Sequence, residues 1–280
     1  MISLVSHLLV FSLTQATLCP IGAVLSPSSV LDLGYRQMYN LQFEEAHQAF
    51  QHWGQTHPYD PMGPTSDAAA YLFAEFDRLG VLQAELFVHD EKFQQRQTGK
   101  PDPVAKKALE QALVNSDQLA DAILRYSPQD SNALLAKVLN LGLRADYLAL
   151  VEKRDLASLS YMKSAGVLAE KLLAFNPTCY DAYLAVGVEN YMLSLTPAPV
   201  RWLLRLYGAG TDKEQGLKKL QLTAKKGHYL LPYARLLLAV AALRDKNHDQ
   251  AKELLAGLAQ EFPNNPLYRK ELSRLLRRDS

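Results

Sequence analysis

The sequence has few cysteines and almost no net charge. Only Cys19 and Cys179 occur in 280 residues, so a framework of several disulfides is excluded. Thirty Lys and Arg side chains stand against 29 Asp and Glu side chains, which leaves a formal net charge of +1. Without a basic excess there is no overall field to concentrate phosphate groups, so we do not expect a nucleic-acid partner.

The common catalytic motifs are also missing. The sequence contains no H-E-x-x-H, no G-x-S-x-G and no G-x-x-x-x-G-K-[ST]. His47, His52 and His57 follow one another at steps of five residues, and each step rotates about 140° around an α-helix, so they cannot share one metal-binding face. We therefore expect no enzyme activity, no cofactor and no metal.

Charged residues are absent from the first 24 positions, which contain no Asp, Glu, Lys or Arg. The stretch 8–13 is mostly apolar and small residues follow it, as in a signal peptide, although the usual basic start is missing. The stretch is too short for a membrane span. We interpret residues 1–24 as a signal peptide or a disordered leader. Its removal would place the protein in the periplasm or outside the cell, and an uncleaved leader would leave it in the cytoplasm.

What the sequence does contain is a recurring spacing of small and large residues. Ala46, Phe50 and Pro58 match the A-x3-F…P half of the tetratricopeptide-repeat (TPR) pattern, and Leu33-Gly34 lies where that pattern has L-G. The same offsets return in a group formed by Ala251, Leu255 and Pro263, and weaker copies in groups formed by Ala165, Ala169 and Pro177 and by Gly216 and Leu220.

This spacing predicts helix hairpins that stack on one another. The small residue lets two helices approach closely, and the larger residue four positions later fills the space beside it. Each hairpin leaves an apolar face that only a neighbouring hairpin can bury. We therefore predict that residues 25–280 form a single all-α domain, a TPR-like superhelical array of antiparallel helix hairpins that is irregular in the middle.

Periodicity and helix-stop residues place the remaining helices. They are predicted over 66–90, 103–126, 131–152, 155–175, 180–195 and 200–207. Ser66 and Thr211 are the predicted N-caps of the helices that begin there, and Glu214 would complete a capping box with Thr211. A last helix over 267–278 would cover the end of the array with an apolar face made of Leu267, Leu272, Leu275 and Leu276.

A group of residues in the C-terminal half also occurs together in a known family. The group comprises Tyr180-Asp-Ala-Tyr183, Gly187, Tyr191, Leu195-Thr-Pro197, Trp202-Leu203-Leu204, 212–216 and 261–268. In these residues the chain resembles bacterial TPR proteins, most of them of unassigned function. The segment 193–216 is similar, more weakly, to tetratricopeptide repeat protein 39 and to the fungal mitochondrial outer-membrane protein of inclusion-body clearance. The resemblance covers about half of the chain and implies the architecture, but hardly a specific activity.

Residues of the first repeat are candidate partner-binding residues. Tyr35, Met38 and Tyr39 lie outside the positions that pack within a hairpin, so they either face a concave groove or fill gaps between irregular hairpins. Tyrosine combines a rigid apolar ring with a polar tip and is enriched where proteins hold partners. Asp60 belongs to a stiff, proline-rich turn and could border the groove.

A second candidate stripe lies on the helix predicted over 180–195. Tyr180, Tyr183 and Tyr191 recur at steps of three and eight, which places them on one broad side of that helix. Glu189 and Asn190 lie beside the stripe and would supply hydrogen bonds. As in the first repeat, core packing and a binding groove are both open interpretations.

We expect a scaffold that binds a protein or peptide through its concave face. One alternative is an enzyme with a pocket between the central helices, in which Asp60, Glu85 and His89 would be the acid and base groups. The other is a lipid or membrane adaptor that uses the apolar helix around Trp202, an idea with weaker support. The sequence identifies neither the partner nor the oligomeric state.

Overall fold

The computed structural model describes residues 29–81, 99–195 and 212–278. Within these ranges every element of regular secondary structure is a helix, which confirms the all-α prediction. The α-helices are α1 (Val30–Tyr39), α2 (Phe43–Thr56), α3 (Met62–Arg78), α4 (Pro103–Tyr126), α5 (Ser131–Asp146), α6 (Asp155–Phe175), α7 (Ala182–Ser194), α8 (Lys213–Lys226), α9 (Leu231–Arg244), α10 (His248–Glu261) and α11 (Pro266–Arg278). A π-helical turn, Tyr147–Val151, follows α5 directly.

Two helices have the bounds that the sequence predicted. For α4 the reason is visible at its start, where the Asp102 carboxylate accepts the Val104 N–H at 2.9 Å and Pro103 occupies the first helical position. The other helix is α6, which ends at Phe175 before the Asn176-Pro177 pair. Local capping and helix-stop residues were therefore sufficient to predict these bounds.

The helix predicted over 66–90 begins earlier and ends earlier. It starts at Met62, four residues before Ser66, directly after Pro61, and the Met62 N–H donates to the Asp60 carboxylate at 3.0 Å. Ser66 lies inside α3, fully buried, and its hydroxyl donates to Tyr35 Oη at 3.0 Å. The helix ends at Arg78 because Gly80 adopts the left-handed conformation, with φ 64°, that commonly terminates helices.

Three smaller predictions also need correction. The α-helical part of 131–152 stops at Asp146, where the π-helical turn begins. Asp212 rather than Thr211 caps α8, since its carboxylate accepts the Gln215 N–H at 3.1 Å; Thr211 lies outside the described residues, as does the helix predicted over 200–207. On α11 the inward side carries Tyr268 and Leu275, whereas Leu276 is 55% exposed.

Each described helix packs against the next one in the chain. At the α1–α2 crossing, Gly34 leaves no room for a side chain, since a Cβ there would lie 2.3 Å from Cε1 of Phe50. Ala46 on α2 and Ala251 on α10 are both completely buried, and so is almost all of Phe50 and Leu255. The small and large residues of the repeated spacing therefore occupy buried contact positions, as predicted.

The helices α7 and α8 also cross closely. A Cβ on Gly216 would lie 2.7 Å from the backbone nitrogen of Tyr191 and 2.9 Å from the carbonyl oxygen of Gly187. Gly187 in turn faces Leu220, whose Cδ2 would be 3.0 Å from a Cβ. Only glycine lets the two backbones approach this closely.

The first helix and the last helices share one hydrophobic core. The ring of Tyr35 stacks on Tyr229, with centroids 4.7 Å apart, and the ring of Tyr39 lies 5.5 Å from Phe262. Phe73 of α3 contacts Tyr39 edge-on and also packs against Tyr233. We call this group, Tyr35, Tyr39, Phe73, Tyr229, Tyr233 and Phe262, the aromatic core.

Polar contacts hold the same junction. The Tyr39 hydroxyl donates to the Tyr229 carbonyl at 2.9 Å, and the Asn265 amide donates to the Tyr39 carbonyl at 2.9 Å. The Asn264 N–H donates to Oδ1 of Asn40 at 3.1 Å. The C-terminal helices thus close over α1 with both apolar and hydrogen-bonded contacts, an arrangement that the repeat spacing did not predict.

The α7–α8 crossing leads to a prediction. An added methyl group at Gly216 would meet backbone atoms, so α8 would have to move, and we expect Gly216→Ala to lower the free energy of unfolding by about 1–3 kcal/mol. Urea denaturation followed by circular dichroism measures this. The control is Gly257→Ala on α10, where a Cβ meets no atom within 4 Å and alanine should be neutral or stabilising by up to about 1 kcal/mol. Equal stability of the two variants would contradict the close crossing.

Candidate functional site

The three candidates of the first repeat belong to the core. Tyr35, Met38 and Tyr39 are 4%, 1% and 3% exposed. Of the two interpretations, core packing holds here and the open groove does not. The physical reason is the closure described above, because the residues that cover these side chains come from the other end of the chain and no local spacing indicates them.

Asp60 accepts hydrogen bonds from three neighbouring parts of the fold. Its carboxylate accepts hydrogen bonds from Trp53 Nε1 at 2.8 Å, from the Asn132 amide at 2.7 Å and from the Met62 N–H at 3.0 Å. These donors come from α2, α5 and the start of α3. Asp60 therefore connects α2, α5 and the start of α3, and its carboxylate is engaged by three donors of the fold itself.

The tyrosine stripe of α7 is divided between the interior and the surface. Tyr191 and Glu189 are buried, and Glu189 packs closely against α6, since a Cβ on Gly166 would lie 1.8 Å from Oε2. The Asn190 amide donates to the Val186 carbonyl at 2.9 Å within its own helix. Tyr180 and Tyr183, by contrast, keep part of their rings at the surface.

These two tyrosines form a surface with lysines of α8 that the sequence did not indicate. Their rings stack with centroids 6.3 Å apart. Lys219 Nζ lies 5.1 Å from the ring centroid of Tyr183, and Lys226 Nζ lies 5.0 Å from that of Tyr180. Leu222, 36% exposed, lies between the two lysines on the same side of α8. We call Tyr180, Tyr183, Lys219, Leu222 and Lys226 the tyrosine–lysine face.

The two lysines of this face differ in charge pairing from Lys213 and Lys218 of the same helix. Lys218 pairs with Glu214 at 2.7 Å and Lys213 with Asp245 at 2.5 Å. Within the described ranges, neither Lys219 nor Lys226 has a carboxylate at ion-pair distance. Their ammonium groups instead lie over aromatic rings, a contact worth about 0.5–1 kcal/mol at exposed sites. Both charges remain available to an external anion.

A buried carboxylate holds the face in position. Asp181 accepts the backbone N–H groups of His228, Tyr229 and Leu230 at 2.9, 3.1 and 3.1 Å. Burial raises the pKa of Asp181, and these three donors oppose that rise. The adjacent carbonyl of Tyr180 accepts the Thr223 hydroxyl at 2.8 Å. Hydrogen bonds thus connect the backbone at Tyr180 to α8 and the neighbouring Asp181 to the segment before α9.

In the parts of the chain that the structure describes, the titratable side chains do not come together as a catalytic site. Burial raises the pKa of Asp146 to about 7, but its hydrogen-bond partner is Tyr233 of the aromatic core, at 3.3 Å. Burial also raises the pKa of Cys179 to about 11, which disfavours the reactive thiolate. Glu85 and His89 lie outside the described residues, so their position relative to Asp60 stays a hypothesis.

Neither a metal-ligand group nor a membrane-spanning helix occurs within 29–81, 99–195 and 212–278. No three His, Cys, Asp or Glu side chains in these segments are grouped as metal ligands would be. None of the helices there combines the length and apolar character needed to cross a membrane. Trp202 and the predicted leader lie outside these segments.

Comparison of the chain with protein-family models, curated proteins and solved structures gave no match. The relation to TPR proteins and the export of the protein therefore stay predictions from the sequence. The tyrosine–lysine face is defined by the geometry of this chain alone.

Asp146 provides a test that depends on pH. Because its folded-state pKa lies above the ordinary value of 3.8, folding favours the protonated form, and this contribution to stability is present at low pH and lost as pH rises toward 7. We expect Asp146→Asn, which still accepts a hydrogen bond from Tyr233, to raise the free energy of unfolding by about 2–4 kcal/mol at pH 8 and hardly at pH 4.

Urea denaturation of both proteins at the two pH values measures this difference. Glu170→Gln, at an exposed position of α6, is the control and should change stability equally at both. A pH-independent effect of Asp146→Asn would show that this carboxyl is not protonated on folding.

Proposed function

We propose that this protein is a non-enzymatic scaffold of the TPR type that holds a protein partner or a peptide. The support comes from packing. Successive helices contact one another along the chain, and the small and large residues of the predicted repeats lie at the buried crossings. An array of this kind is stabilised by contacts between neighbouring units and offers extended outer surfaces for binding.

The location proposed for binding differs from the original expectation of a concave face. The aromatic core fills the space in front of α1, so its tyrosines are unavailable to a partner. The tyrosine–lysine face combines partly exposed aromatic rings with two lysines that have no carboxylate at ion-pair distance among the described residues. Aromatic residues are enriched in protein interfaces, and the stacked pair supplies rigid contact area. This combination is the observation that carries the proposal.

Neither alternative function gains a supporting contact. The enzyme hypothesis uses Asp60, whose carboxylate is occupied by three donors that organise α2, α3 and α5. The lipid-adaptor hypothesis uses Trp202, which the structure does not describe. Export to the periplasm or the cell exterior stays part of the proposal as the predicted setting in which the scaffold would act.

Site-specific photocrosslinking tests the proposed function. A photoreactive phenylalanine analogue at position 183 should capture a defined partner in cells, because that side chain would contact it. The same analogue at position 126 is the matched control, since Tyr126 ends α4 and is 89% exposed. We expect an adduct that is specific to position 183 and is lost with Lys226→Glu. Identical adducts at both positions in a correctly folded protein would contradict a scaffold that binds through this face.

A further inference from the structure

We propose that the tyrosine–lysine face recognises an extended acidic peptide segment, with two carboxylates two residues apart and an apolar side chain two residues further along, all on one side of the peptide. This inference rests on the proposed scaffold function and names the class of partner. It depends on three features of the face: its charge, the spacing of its lysines, and its apolar surface.

The charge of the face is the first feature. Lys219 and Lys226 carry two positive charges that no carboxylate of the described chain offsets at ion-pair distance. Lys226 Nζ also lies 3.4 Å from Oη of Tyr180, toward which it donates. The hydroxyl hydrogen of Tyr180 can then be donated to an incoming anion. A carboxylate at this point would accept hydrogen bonds from an ammonium group and from a phenol.

The spacing of the positive charges limits the ligand. Lys219 and Lys226 are seven positions apart on α8, which puts their Cα atoms about 10.5 Å apart along the helix axis. The rings over which their ammonium groups lie are 6.3 Å apart. An extended peptide advances about 3.3 Å per residue and its side chains alternate between two sides, so carboxylates two residues apart lie on one side, about 6.6 Å from each other. Carboxylates six residues apart, about 20 Å, would not reach both lysines.

The apolar part of the face favours a peptide over a free anion. Leu222 and the outer surfaces of the two tyrosine rings offer hydrophobic contact beside the ammonium groups. An apolar side chain two residues beyond the second carboxylate lies on the same side of an extended peptide and would cover them. The lysine ammonium groups already lie over the rings, and hydrogen bonds to Asp181 and Thr223 fix the backbone before α7. Little conformational freedom is therefore lost when a peptide binds.

Fluorescence anisotropy with the full-length protein tests the proposal. The probe is a short labelled peptide with two Asp residues two positions apart and Leu two positions beyond the second Asp. The comparison peptides have the same composition with the Asp residues six apart, or Lys in place of Asp. We expect the first peptide to bind at least about tenfold more tightly than either comparison, and to lose affinity between about 50 mM and about 200 mM salt.

Variants assign this binding to the face. Lys219→Glu and Lys226→Glu should each weaken binding of the acidic peptide by about tenfold or more, a loss of about 1.4 kcal/mol. Lys107→Glu changes the net charge equally at an exposed position of α4, and it should leave the affinity unchanged. Circular dichroism confirms that each variant is folded. Tyr183→Ala, which removes the ring, should bind more weakly than the unmodified protein.

Several outcomes would overturn the proposal. Equal losses in Lys219→Glu and Lys107→Glu would mean that only overall charge matters. Tighter binding of a single-stranded oligothymidylate than of the acidic peptide would assign the face to nucleic acid, since aromatic rings and lysines also suit that ligand. Absence of peptide binding, together with a specific adduct at position 183, would reject the acidic peptide and retain the scaffold. Loss of both would reject the scaffold as well.

Discussion

The contact between the two ends of the described chain determines which surfaces are open to a partner. Tyr35 and Tyr39 of α1 pack against Tyr229 and Phe262, which are about two hundred positions away in sequence. Hydrogen bonds from Asn264 and Asn265 to the end of α1 lie beside the rings, so the buried backbone groups there are satisfied. Without this contact the inner side of α1 would be an aromatic surface exposed to water. With it, that side is hydrophobic core, and binding has to use another part of the molecule.

The segment at the start of α7 links that core to the proposed binding surface. Asp181 is buried and accepts three N–H groups from the residues that precede α9, one of which belongs to Tyr229 of the aromatic core. Tyr180 and Tyr183, on either side, point part of their rings outward. Packing that closes the helical array thus also fixes the backbone of the exposed tyrosines. A rigid surface of this kind binds with a smaller entropic cost than a flexible one.

The fold could be predicted from the sequence wherever local chemistry determines it. The start of α4 follows from Asp102 and Pro103, which act through the first turn alone. The buried positions Ala46 and Ala251 follow from the spacing within one hairpin. The prediction failed at Ser66, a good N-cap residue by type, because α3 begins four residues earlier, at Met62, and Ser66 instead bonds to Tyr35 across the core. When a side chain could act either as a helix cap or as a contact in the core, the folded structure decides which of the two it makes.

The sequence by itself determined that the chain is helical, where most of its helices lie, which small and large residues meet between them, and that Tyr180 and Tyr183 are candidates for binding. Only the tertiary structure decided that the tyrosines of α1 belong to the core and that Lys219 and Lys226 lie over the rings of Tyr183 and Tyr180. Helix formation and capping depend on residues within a few positions of one another, so their pattern is visible along the chain. Exposure and charge pairing depend on which distant segment covers a side chain, and that is settled only when the helices pack together.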